Sequence, residues 1–376
     1  MKGYGQSEKE LKHGEEWFKL RSMVNPILMQ PRNVLQYVDR MNLVADELND
    51  NIKYLSEQNS NGEMPENFNT ELYKWSLESI GVVTMDKHLG CLKRNVETDS
   101  EPQKLIQNVL QLFPLMYKLD VMPSLWKVIS TPDLRKFFKV SDFMTDTNLK
   151  YINQCMKKLE SQKTDQEDKT NVLQKLIKGD RDLAVVMALD MMTAGIDTTG
   201  RILGAALYFL AKNPEAQQQL RKEALTLLKI KDAPVTTEIL SKASYLKAVI
   251  KETLRVAPIG GGNLRTTTDV VTNHLILCKT DQHFARANKF LPERWLSSTV
   301  GELSYKNVNP FVYAPFGYGP RGCVGKRLAN LELEVALLKV IRNFEFKWPH
   351  EDMVFEVKLF YGMARPLKLH VKPLND

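Results

Sequence analysis

A lone cysteine among glycines is the most chemically pointed feature of this 376-residue sequence. Phe316-Gly-Tyr-Gly-Pro-Arg-Gly-Cys-Val-Gly325 sets Cys323 between Gly317, Gly319, Gly322 and Gly325, and a helix pattern opens at once with Lys326-Arg327. Glycines let a backbone approach a flat ligand without Cβ clashes. Backbone N–H groups at the start of a helix favour an anion, so they would hold Cys323 as a thiolate. A sheltered thiolate is what a ferric iron takes as an axial ligand. The plain alternative is a buried thiol beside a turn. The spacing F-x-x-G-x-R-x-C-x-G narrows it sharply.

A second segment, Ala194-Gly-Ile-Asp-Thr-Thr199, falls inside a long apolar pattern from Asp182 to Ala211, which predicts one helix. Ala194 and Gly195 make a flat patch. A threonine hydroxyl can bond the carbonyl one turn back and loosen the ladder there. Asp197 and Thr198 supply an ionisable group and a hydroxyl, the minimum for passing protons. Taken alone, the hexapeptide is more commonly explained by small-residue helix packing with an N-cap-like polar cluster. Two arrangements concern charge. Glu252 and Arg255 stand at i and i+3, with Arg294 downstream in Leu291-Pro-Glu-Arg-Trp295. Trp17 and Arg21 stand one helical turn apart.

In this order and spacing the motifs resemble the cytochrome P-450 family, the haem-thiolate monooxygenases. The likeness runs from about Trp17 to the C-terminus, and its texture, including Ile259–Thr267, is most similar to insect mitochondrial members. The resemblance implies that Cys323 ligates the iron of haem b (iron protoporphyrin IX). Phe316 and Gly325 would flank it, and Trp17, Arg21, Arg265 and Arg321 would hold the propionates. Ala194 and Gly195 would face the macrocycle, Thr198 would steady bound oxygen, and Asp197 would feed it protons. Glu252, Arg255 and Arg294 would form a buried structural triad, with Trp295 where the family usually has Phe. Val256–Gly260 and Tyr361–Ala364 would line the substrate pocket. The substrate class is a hydrophobic small molecule, xenobiotic or steroid-like, oxidised with O2.

No glycine-rich dinucleotide fingerprint is present, which implies a separate electron donor. Lys247 and Lys251, at i and i+4, repel each other unless something acidic docks there. With Lys326 and Arg327 they resemble the docking face for an acidic ferredoxin, served by its reductase. The resemblance places the protein on the matrix side of the mitochondrial inner membrane, with peripheral membrane association. Residues 1–16 hold four glutamates and no arginine, unlike a targeting peptide.

The elements that must carry these residues follow from pattern. Residues 1–230 read as successive helices, with Pro26, Pro65, Pro102, Pro114, Pro123 and Pro132 falling between them or at their edges as breakers. Residues 160–170 read as a solvated loop, and Asp269–Leu277 and Val354–Phe360 as β-prone runs. The expected class is mainly α with a small β component, a cytochrome P-450-like fold in one domain over 1–376 but incomplete. The family's part before Trp17 is nearly missing, and its segment after Arg265 is deleted. Strands beside that deletion would expose unpaired edges. A catalytically inactive truncated isoform with weak or no haem binding is the competing reading. The 52 Lys plus Arg against 45 Asp plus Glu are not gathered in a stripe, so no nucleic-acid partner is expected. Four cysteines without paired spacing argue against a disulfide scaffold and fit a reducing compartment better.

Overall fold

A computed structural model describes residues 14–93, 99–161, 172–265 and 270–374. The expectations for the first dozen residues, for the polar loop within 162–171 and for the deletion beside residues 266–269 lie outside the described residues.

The helices are α1 (Gly14–Leu28), α2 (Pro31–Leu35), α3 (Val38–Gln58), α4 (Phe68–Met85), α5 (Glu101–Met116), α6 (Pro132–Ser161), α7 (Val172–Ile177), α8 (Arg181–Lys212), α9 (Pro214–Leu227), α10 (Thr237–Lys242), α11 (Ser244–Val256), α12 (His274–Leu277) and α13 (Lys326–Asn343). Six short strands pair antiparallel: β1 (Asn263–Arg265) with β2 (Val270–Thr272), β3 (Phe344–Lys347) with β6 (His370–Pro373), and β4 (Phe355–Lys358) with β5 (Phe360–Met363). The fold is therefore mainly helical with a small β component.

Several boundaries differ from the sequence reading, each for a local reason. Pro26 and Pro114 lie inside the last turns of α1 and α5 instead of breaking them; α5 then continues into a π-helical turn, Tyr117–Val121. Pro102 and Pro132 sit at helix starts, at the segment edges as expected, where a missing N–H costs nothing. At the junction of α8 and α9 the Asn213 side-chain amide donates to the Phe209 carbonyl at 2.7 Å, so it closes α8 rather than bonding the first turn of α9. The β-prone run 269–277 is split, because Asn273 Oδ1 accepts from the Ile276 N–H at 3.2 Å and starts the helical turn α12. The strands flanking residues 266–269 pair with each other, Arg265 opposite Val270.

The described residues form two compact units. One comprises residues 14–40, 73–93, 99–161, 172–197 and 324–329; the other comprises 41–72, 198–265, 270–323 and 330–374. The first is all helix. Leu105, Ile106 and Val109 of α5 and Val140, Met144 and Ile152 of α6 are buried, and these two helices pack on each other. Gly195 of α8 lies so close to Ile80 of α4 that an added Cβ would meet its side chain at 3.2 Å.

The second unit holds all the strands. Its core includes Leu203, Leu207 and Leu210 of α8, Leu246, Val249 and Ile250 of α11, and Leu338 and Ile341 of α13. Buried Gln217 of α9 bonds both the N–H and the carbonyl of Phe346 at 2.8 Å, fixing β3 to the helices. Helix α8 is long and apolar enough to pass for a membrane span, but half of its most apolar stretch is buried inside the protein. It is a core helix.

Candidate functional site

The glycine loop is closed by its own backbone. The Cys323 N–H donates to the Phe316 carbonyl at 2.7 Å, and the Gly322 N–H to Gly319 at 2.9 Å. Gly317 and Gly319 take φ of +73° and +76°, in the left-handed region that glycine enters without a Cβ clash. Helix α13 starts three residues after Cys323, with the Ala329 N–H on the Gly325 carbonyl at 2.9 Å. Cys91, Cys155 and Cys278 are buried, whereas Cys323 is exposed. Arg321 is exposed as well, and Phe316 is half-buried.

Trp17 and Arg21, both half-buried on α1, line a cavity of about 380 Å³ in the first unit. Leu183, Val186 and Met187 of α8 line it too, and so does Val324, the residue bonded to Cys323. Arg265 ends β1; its side chain lies outside the described residues.

Helix α8 runs unbroken through the Ala194–Thr199 segment. Ala194 is exposed, Gly195 and Thr198 are half-buried, and Asp197 is fully buried. The Gly195 carbonyl accepts the Ser76 hydroxyl of α4 at 2.9 Å. A side chain from another helix thus reaches the backbone of this segment. Beyond the hexapeptide lies a group the sequence reading missed. Glu332 of α13 is buried, and burial raises its carboxyl to about 8 against a small opposing pull from the Thr199 hydroxyl. Its Oε1 has no hydrogen-bond partner. A carboxyl that stays protonated at neutral pH beside a hydroxyl can hold a proton and pass it on. No spacing in α13 announces it, since Glu332 falls among leucines that read as core.

In the second unit Glu252, Arg255 and Arg294 come together with every side chain fully buried. Arg255 grips the carboxylate twice, Nε to Oε2 at 2.9 Å and Nη2 to Oε1 at 2.8 Å. Arg294 Nε reaches Oε1 at 3.1 Å. The other guanidinium N–H groups fall on carbonyls of the segment leading to Arg294: Arg255 on Cys278, Ala287 and Lys289, and Arg294 on Ala285 and Arg286. Buried charges of this kind persist only when nearly every lone pair and proton is used. Here the two arginines organise a stretch of irregular backbone.

Of the basic residues, Lys247 donates to the Leu240 carbonyl at 2.5 Å, and the Lys251 ammonium lies 5.6 Å from the Tyr305 ring. Lys326 and Arg327 are exposed on the first turn of α13. The pair on α11 is not left to repel itself alone. Glu334 of α13 feels both lysines, which pull its carboxyl down, while burial dominates and raises it to about 7. Val256–Gly260 and Tyr361–Ala364 are joined by a hydrogen bond from the Tyr361 N–H to the Ile259 carbonyl at 2.9 Å.

The donor set suits iron protoporphyrin. A single accessible sulfur on a glycine cradle suits a soft axial ligand to iron, and an indole N–H and a guanidinium on one helix turn suit carboxylate side arms. The sequence profile described as Cytochrome P450 matches residues 6–370. Among curated relatives, Cytochrome P450 CYP12A2 of Musca domestica is 39% identical, the match covering 96% of this chain and 72% of that protein. The Probable cytochrome P450 12c1, mitochondrial, of Drosophila melanogaster is 37% identical over 96% of this chain and 73% of its own length. Among solved structures, that titled Crystal structure of a Cytochrome P450 (CYP102L1) superposes with a TM-score of 0.77, covering 96% of this chain and 83% of that one at 19% identity.

Proposed function

The chain belongs to the cytochrome P450 family, and on that premise we propose that it inserts one oxygen atom of O2 into a hydrophobic small molecule, xenobiotic or steroid-like, with electrons from an acidic ferredoxin and its reductase. It is a haem monooxygenase. The observation that carries the finer reading is Cys323, the exposed cysteine on a loop closed back to Phe316 and followed at once by α13. The haem, here haem b, supplies the reductive activation of dioxygen when bound.

This chain's own residues do the rest. Cys323 holds the iron as a thiolate, between Phe316 and Gly325. Trp17, Arg21, Arg265 and Arg321 bind the propionates. Ala194 and Gly195, without bulky side chains, leave room for a flat group, and the Ser76 bond to Gly195 supports a fixed carbonyl there. Asp197 and Thr198 move and hold the proton. Val256–Gly260 and Tyr361–Ala364, tied together at Ile259 and Tyr361, exclude water around an apolar substrate. Glu252, Arg255 and Arg294 keep the polypeptide that leads to the cysteine loop in place.

Lys247, Lys251, Lys326 and Arg327 receive the acidic ferredoxin. The matrix side of the inner mitochondrial membrane is the site of action, in keeping with relatives whose names carry the word mitochondrial. Exposed Val121, Met122, Leu125, Val128 and Ile129, with Lys118 and Lys127 among them, support peripheral contact with that membrane.

The deciding experiment is the carbon monoxide difference spectrum of the reduced, haem-loaded chain. The expected result is the red-shifted Soret band of thiolate-ligated haem, lost on Cys323→Ser. Absence of that band from the unaltered chain would favour an inactive isoform without firm haem binding. An unchanged band in Cys323→Ser would reject Cys323 as the ligand.

A further inference from the structure

We propose that Glu63, His350 and His370 form a surface site for a divalent transition-metal ion of the zinc class, apart from the haem machinery. One ligand atom from each lies within 4.8 Å of the other two. The three residues come from separate segments that the backbone holds in register. His370 opens β6 and faces Glu63 across an antiparallel bridge. The Met64 N–H bonds the Leu369 carbonyl at 2.8 Å, and the Val371 N–H bonds Gly62 at 2.9 Å. Gly62, at φ +71°, lies where a Cβ would come within 2.6 Å of the Val371 carbonyl, so only glycine lets this loop lie so tightly on β6. His350 follows β3, whose last residue, Lys347, pairs with His370.

The second observation is the tautomer of His350. Its Nε2 lies 3.0 Å from the Lys368 carbonyl oxygen. A carbonyl only accepts, so Nε2 carries the proton and Nδ1 keeps the lone pair. A backbone carbonyl fixing one ring nitrogen so that the other can ligate is the usual outer support of a histidine–metal bond. The His350 and His370 rings lie 5.9 Å apart between centroids, and His370 Nε2 is 3.0 Å from Glu63 Oε2, a hydrogen bond whose proton an incoming metal ion displaces. Ligands about 2.0–2.1 Å from a tetrahedral zinc stand roughly 3.4 Å from one another. The neighbouring cation, Lys368, is paired with Glu66 at 2.6 Å. Two imidazoles and one carboxylate, with water completing the shell, favour a borderline ion over Mg2+ or Ca2+.

The test is isothermal titration of the haem-loaded, chelator-treated protein with zinc chloride, and separately with magnesium chloride. The expected result is saturable uptake of one Zn2+ and no uptake of Mg2+. His350→Ala, at an exposed position that should not disturb folding, should bind about tenfold more weakly or worse. The double variant Glu63→Gln/His350→Ala should lose the site while keeping its haem spectrum and melting transition. No zinc uptake, equal uptake of Mg2+, or unchanged zinc affinity in the double variant would overturn the proposal. The trio would then be a His370–Glu63 ion pair with an imidazole beside it.

Discussion

The indole N–H of Trp295 donates to Oε2 of Glu252 at 2.8 Å. It joins the arginine contacts and the Leu291 N–H, which reaches Oε1 at 2.9 Å, so the buried carboxylate accepts five hydrogen bonds. Trp295 occupies the position where the family resemblance leads one to expect phenylalanine, a side chain without a donor. Trp295→Phe should therefore preserve the ring packing against Phe284 and Tyr313 and remove one charge-assisted bond. The expected loss is about 1.5–3 kcal/mol, read from the urea midpoint at constant m-value. A change below a few tenths of that would mean the carboxylate has no need of the indole.

Breaking the pair outright should cost more. Glu252→Gln leaves Arg255 and Arg294 buried without a counter-charge, a situation that costs about 3–5 kcal/mol in other buried pairs. Because those arginines bond carbonyls from Cys278 to Lys289, the damage should appear as faster amide exchange in that segment. Exchange that accelerates only within α11 would contradict this account.

What the sequence made legible follows a physical line. Helix α8 announced itself through a long apolar period and was expected within a residue or so at either end. Glu252 and Arg255 were visible because an i, i+3 spacing on a helix is local information. Glu332, Glu334 and Ser76 were not, because what distinguishes them is the other helix they meet, and no local pattern records that. Pro26 and Pro114 misled for a related reason. A proline in a terminal turn loses little ladder, so its presence does not fix where the helix ends.

Glu332 makes stability depend on pH. Burial raises its carboxyl from 4.5 to about 8, so between those values the folded chain holds a proton that the unfolded chain has released. The folded state then binds more protons than the unfolded one, and stability falls as pH rises through this window. The slope attributable to one such group is at most about 1.4 kcal/mol per pH unit. Glu332→Gln should remove that component, giving a flatter urea-midpoint profile from pH 5 to 8 than the unaltered protein shows. Parallel profiles would mean the carboxyl is not held neutral.

Glu334 should tune partner binding in the same pH range. Below about pH 7 its carboxyl is protonated and no longer offsets Lys247 and Lys251, so an acidic ferredoxin should bind more tightly as pH falls from 8 to 6. Glu334→Gln should bind tightly at both pH values. Lys247→Glu with Lys251→Glu should weaken binding and flatten its salt dependence. For partly exposed charges the changes should be a few-fold each, on the scale of about 0.2–1 kcal/mol. Ferredoxin titrations at two pH values and two salt concentrations separate these outcomes, and a pH response surviving in Glu334→Gln would assign it elsewhere.

The segment after the π-helical turn should decide membrane attachment. Val128 is 83% and Leu125 66% exposed, an apolar display that water disfavours and that no packing inside the first unit accounts for. Trp126 donates to the Leu119 carbonyl at 2.6 Å, which braces the loop against the end of the helix while these neighbours face outward. Lys118 and Lys127 would add attraction to anionic headgroups. Moving two such side chains out of water gains about 1.5 kcal/mol or more apiece. Leu125→Ser with Val128→Ser should then reduce co-flotation with anionic phospholipid vesicles roughly a hundredfold in partition coefficient. The carbon monoxide difference spectrum should be unchanged, because neither residue approaches Cys323 in sequence or lines the Trp17 cavity. Unaltered flotation of the double variant would remove this loop from the membrane contact.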